Sequence, residues 1–101
     1  MATTTKKLFR GAATTTTSTT LYTVPSATTT VGTNIAVTNT AASAATFTLG
    51  LAGTALHTTT AIAANTTVYI DLKQVLNATE TITGGASATT VNFHISGVEI
   101  A

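Results

Sequence analysis

The side chains able to carry charge are few: Asp71, Glu80 and Glu99; His57 and His94; Lys6, Lys7, Arg10 and Lys73. Catalysis needs positioned acids, bases or nucleophiles, and this stock is thin. Asp71 sits between Ile70 and Leu72, so its place is the solvated face of a strand, with Lys73 as its neighbour for pairing. His94, between Phe93 and Ile95, belongs on the outward or second-sheet face of a strand, and His57 follows Leu56 in a loop. Neither histidine stands in a His-x-His or comparable ligand spacing, so no metal site is expected. Serine and threonine hydroxyls are plentiful, but none lies in a nucleophile-elbow pattern. Gly84-Gly85 is too short to cradle a phosphate and reads as a turn. The expectation is a protein without catalytic residues, metal or cofactor.

Three of the four cations, Lys6, Lys7 and Arg10, gather beside Phe9 near the N-terminus. Such a cluster suits an arm docking on an acidic partner surface. The net charge is only +1, and no basic stripe with interleaved aromatics follows, so nucleic acid is not an expected partner. No apolar run reaches the ~20 residues of a membrane helix, and the first residues lack the apolar stretch of a secretory signal. The chain is therefore expected to be made in a cytoplasm and to leave it only as part of something larger. Cysteine is absent, which removes disulfide staples and thiolate ligands.

Charged residues make up 7% of the chain, against about 25% in an ordinary soluble protein. Threonine supplies the polarity instead, at 29 positions. A threonine hydroxyl keeps a strand surface wettable, while loss of charge removes the repulsion that keeps monomers apart. A single domain of 101 residues has a thin core and gains from neighbours, so a homo-oligomer or larger assembly is expected.

The elements that must position these residues follow from period-two alternation, which dominates the chain. Lys6 to Gly11 reads as a first strand or an ordered arm, with Leu8 and Arg10 on one side and Lys7 and Phe9 on the other. Ala12 to Thr20 is a low-complexity loop or weak edge strand. We therefore divide the chain into an arm and Thr-rich segment over 1–20 and a β-domain over 21–101. Leu21 to Val24 is strand-like and stops at Pro25. Val31, Thr33, Ile35 and Val37 fall on one face of the next strand, and Phe47, Leu49 and Leu51 on one face of its successor. The pair, joined by Asn39 to Ser43, is the best hairpin candidate.

Weaker strand signal surrounds Leu56, Ile62 and Ala64. Val68, Ile70 and Leu72 then face a core, with Tyr69, Asp71 and Lys73 outward. Lys73 to Asn77 has room for one helical turn. Thr81 to Thr83 is a short strand ending at Gly84-Gly85. In the last strand Val91, Phe93 and Ile95 share one face while Val98 and Ile100 have opposite parity, which predicts a β-bulge or bend at Ser96-Gly97. Seven or eight short antiparallel strands without helices make an all-β sandwich, Ig-like or jelly-roll in topology.

Several segments together, among them LYTVP, IDLKQVLNA and HISGVEI, resemble small structural proteins of tailed bacteriophage virions. The resemblance runs from about Lys6 to the C-terminus. It implies a virion component without catalytic residues, at the head, neck or tail. The leading expectation is a capsid decoration (cement) protein that bridges capsomers and binds the major capsid protein or other virion proteins. The alternatives are a neck, tail or baseplate subunit, and a carbohydrate-binding or adhesive module, which would need exposed aromatics. An ice-binding surface is disfavoured by irregular threonine spacing. Lys6, Lys7, Phe9, Arg10, Tyr22, Ser96 and Gly97 are the residues expected to contact a partner.

Overall fold

The computed structural model describes residues Thr3–Ala101, and over that span alternation becomes eight strands. They are β1 (Thr3–Ala12), β2 (Thr20–Thr23), β3 (Thr29–Asn39), β4 (Ala45–Leu51), β5 (Thr54–Ile62), β6 (Thr66–Leu76), β7 (Thr81–Ala86) and β8 (Val91–Ile100). All pairings are antiparallel, in two four-stranded sheets ordered β1-β8-β3-β6 and β2-β7-β4-β5. The partnerships nest, β1 with β8, β2 with β7, β3 with β6 and β4 with β5. One long hairpin has thus been rolled so that its halves face each other, which is the jelly-roll arrangement of a β-sandwich. The immunoglobulin-like alternative is thereby set aside.

The core lies between the sheets. Ile35, Val37, Val91, Phe93 and Ile95 from the first sheet meet Phe47, Leu49, Ile62 and Ile82 from the second, all nearly inaccessible. Phe47 and Phe93 join the layers edge-to-face, 6.4 Å between ring centroids at 72°, the geometry aromatic pairs favour.

β3 and β4, the expected hairpin, lie in different sheets. Alternation fixes which face of a strand is buried, but it is silent on which strand lies alongside. The segment between them crosses from one sheet to the other around Asn39, which is fully buried. Asn39 Nδ2 donates to Ser43 O at 2.8 Å, and its Oδ1 accepts from Ala41 N at 3.1 Å and Thr90 Oγ1 at 3.2 Å. One side chain thereby ties two inter-strand connections at this end of the sandwich.

Gly84 and Gly85 are not a turn; they are interior residues of β7. The loop after β1 runs across this strand, with Gly84 N donating to Thr19 O and Ala86 N to Thr14 O. A Cβ on Gly85 would stand 2.7 Å from Thr16 C and 2.8 Å from Thr17 Cα, so the missing side chain is what lets the loop close. Lys73 to Leu76 likewise continues β6 instead of forming a helical turn, and the chain bends after it, at Ala78-Thr79. Ala64 falls in the turn beyond β5.

The first sheet carries an irregularity at the level foreseen at Ser96-Gly97, but the extra residues sit in its neighbours. Where β8 advances one residue, from Ser96 to Gly97, β1 spans Lys7 to Phe9 across Ile95 and Ser96, and β3 spans Gly32 to Asn34. β6 in turn spans Asp71 to Gln74 against the same stretch of β3. β8 itself keeps one parity, with Val91, Phe93, Ile95 and Gly97 all buried. The parity swap occurs in β3 instead: Thr30 and Gly32 are buried before the bulge and Ile35 and Val37 after it, so Val31 and Thr33 do not share the core face. In β1 the bulge turns both Leu8 and Phe9 toward the core. A Cβ on Gly97 would meet Leu8 Cδ1 at 2.8 Å, and one on Gly32 would meet Leu72 Cδ1 at 3.2 Å. The two central glycines thus make room for leucines from the two edge strands.

Candidate protein interface

The register places the outward residues of the first sheet in rows. One row reads Arg10, His94, Ala36, Tyr69 across β1, β8, β3 and β6. The next reads Lys7, Ser96, Asn34, Asp71, and beyond the bulges comes Thr5, Val98, Val31, Val75. Since neighbouring strands lie about 4.8 Å apart, each row spans about 14 Å. Five of the seven charged residues, Lys6, Lys7, Arg10, Asp71 and Lys73, lie on the two edge strands of this sheet and are exposed.

Five of the seven expected contact residues come together here. Lys6, Lys7, Arg10, Ser96 and Gly97 line a shallow basin of about 420 Å³ with Thr5, Thr33 and Val98. Thr33, the bulged residue of β3, donates from Oγ1 to Ser96 O at 3.2 Å. The bulge at Leu8 puts Lys7 and Arg10 on the same side, where simple alternation separates them. Neither takes part in an ion pair among the described residues, where the one ion pair is Lys6–Glu99 at 3.3 Å.

The other two expected contacts are elsewhere. Phe9 packs against the core. Tyr22 is buried, and its hydroxyl donates to Glu99 while lying 2.9 Å from Thr30 Oγ1. This cluster joins β2 of the second sheet to β1, β3 and β8 of the first. The hydrogen bond from Tyr22, followed by the nearby Lys6, holds the Glu99 carboxyl below its usual range despite partial desolvation. Desolvation and the acceptor Glu99 raise the Tyr22 phenol.

His94 lies on the outer face, in the row of Arg10 and Tyr69. His57 is not in a loop; it lies in β5 with its ring 5.3 Å from that of Phe47 and Nδ1 3.2 Å from Thr60 Oγ1. The two histidines thus belong to different sheets, and no group of three or more metal-ligating side chains forms among the described residues. Asp71 and Lys73 form no ion pair with each other. Of the two tyrosines, Tyr69 is 74% exposed and Tyr22 is inside. Tyr69, Asn34 and Thr33 were not singled out as contacts. The outward parity of Tyr69 was readable, but nothing in the sequence showed that β6 and β1 border one sheet.

No family model, curated protein or solved structure matches the chain.

Proposed function

We propose that this protein is a non-enzymatic structural subunit of a tailed-bacteriophage virion, a decoration protein that sits on the capsid and bridges capsomers. The observation that carries the reading is the outer face of the first sheet. It is a broad four-stranded surface whose central strands carry no Lys, Arg, Asp or Glu on this face and whose edges are charged. Lys7 and Arg10, which form no ion pair among the described residues, stand over a shallow basin on β1, and Asp71 and Lys73 lie on β6. Such a surface suits contact with an acidic patch on another protein, where charge sets orientation and neutral polar groups pack without heavy desolvation cost. The major capsid protein is the partner assigned to it. Many copies, each with modest contact, would reinforce a shell through multivalency. The jelly roll is an architecture that recurs in viral capsid and lectin domains; it supports the reading by analogy only, since fold does not dictate function.

The test adds purified protein to shells assembled without it. Wild-type protein binds in many copies per shell and raises the temperature at which the shells rupture. The Lys7→Glu/Arg10→Glu variant, altered only at exposed positions, remains folded and loses binding. Failure of the wild type to bind shells, with binding to isolated tails, moves the protein to the neck or tail.

A further inference from the structure

The free edge of β6 has a property that the other edges lack. Tyr69, Asp71, Lys73 and Val75 share one parity along this strand and are exposed. They read symmetrically about Leu72 as apolar, acidic, basic, apolar. Tyr69 and Val75 are also the two large hydrophobic residues most exposed among the described residues, at 74% and 60%. β6 pairs with β3 on one side, and among the described residues no strand pairs with the other.

We infer that β6 is a homodimer interface, in which two copies of this chain pair antiparallel through this edge about a two-fold axis at Leu72. In that register Asp71 of each copy stands opposite Lys73 of the other, and Tyr69 opposite Val75. Directly opposed side chains in an antiparallel pair approach to about 5 Å between Cβ atoms, so both charges and both apolar groups find complements. Two-fold symmetry requires a self-complementary patch, and this strand carries one. The first sheet then continues through the axis as an eight-stranded sheet.

The remaining edges do not fit such pairing. β1 presents Lys6, Lys7 and Arg10, three like charges along one strand. β2 has four residues. β5 carries a left-handed residue inside it, Thr59 at φ 49°, and two register shifts against β4, where β6 has one against β3. Charges, shortness and bulges are the ways natural edges resist pairing. Beside the β6 edge lies an open cleft of about 470 Å³ lined in part by Leu51, Leu56, Val75 and Leu76, apolar surface that an approaching copy would cover. This inference does not rest on the virion reading.

Sedimentation of the full chain from micromolar to millimolar concentration tests it. Wild-type protein shows a monomer–dimer equilibrium. Asp71→Lys or Lys73→Asp alone sets like charges opposite each other twice per dimer. Each weakens association by about thirtyfold, the equivalent of about 1 kcal/mol at each of two pairs. An equimolar mixture of the two variants forms a heterodimer with the complementary pairs restored, and the double variant Asp71→Lys/Lys73→Asp dimerises again. All substitutions are at exposed positions, and circular dichroism verifies the fold. A wild type that stays monomeric throughout, single variants that dimerise like wild type, or a mixture without recovery would overturn the interface.

Discussion

Replacing Asn39 with alanine removes the side chain that holds one end of the sandwich together. Asn39 has no exposed surface, so its contacts are made away from bulk water. Its Nδ2 serves Ser43 O at 2.8 Å and lies at 3.5 and 3.4 Å from Ile62 O and Ala63 O. Its Oδ1 serves Ala41 N at 3.1 Å and Thr90 Oγ1 at 3.2 Å. Truncation leaves at least one backbone donor and one backbone acceptor without these partners, at roughly 1–3 kcal/mol each. Water entering from the adjoining loops offsets part of this, giving a net loss of about 2–4 kcal/mol. Against a total of about 5–15 kcal/mol for an ordinary domain, this is a large fraction. In urea the midpoint falls by about 1–2 M with an unchanged slope. Thr38→Val is the control, because the Thr38–Thr67 hydroxyl contact at 3.0 Å is exposed; its effect stays within about 0.5 kcal/mol. A loss below about 0.5 kcal/mol for Asn39→Ala would refute the assignment of this residue as the tie between the connections.

Gly97→Ala places a Cβ 2.6 Å from Val31 O and 2.8 Å from Leu8 Cδ1. Leu8 can yield but the carbonyl cannot, so unfolding measurements should show a loss of about 1–3 kcal/mol. Ala52 and Gly53 form the two-residue β4–β5 turn, both at positive φ, 52° and 81°. Asparagine tolerates this conformation better, so Ala52→Asn raises stability by some tenths of a kcal/mol to about 1 kcal/mol in the same assay. The Tyr22–Glu99–Lys6 cluster makes stability depend on pH. Because the Glu99 carboxyl is lowered in the fold, its contribution is present above the ordinary value of 4.5 and is lost as pH falls through the folded value. Because the Tyr22 phenol is raised, stability is lost as pH climbs above 10.0 toward the folded value. Glu99→Gln should flatten the acid limb of a stability–pH profile; an unchanged limb removes Glu99 from the account.

The strand content was legible because buried and exposed residues alternate so regularly, as in Val68, Ile70 and Leu72 against Tyr69, Asp71 and Lys73. Strand partnership was not, since Ile35 and Phe47 carry the same pattern whether their strands pair or face each other across the core. Bulges hid the faces of β1 and β3. Inserting Leu8 or Thr33 reverses the parity beyond it, and neither residue type announces a bulge. A bulge was expected from the parity of Val98 and Ile100, but these residues are half-buried on the outer face while Gly97 keeps the core parity of β8. Gly84-Gly85 carried the composition of a turn, and only the loop passing over Gly85 explains its place in a strand. The basic cluster was visible as sequence, whereas its meeting with Ser96 and Gly97 required the β1–β8 register.

Quantitative mass spectrometry of purified particles, separated into heads and tails, tests the proposed role most directly. The account predicts that the chain partitions with heads, in a copy number comparable to that of capsomers. Recovery only with tails, at a few copies per particle, or absence from the particle altogether, would contradict it.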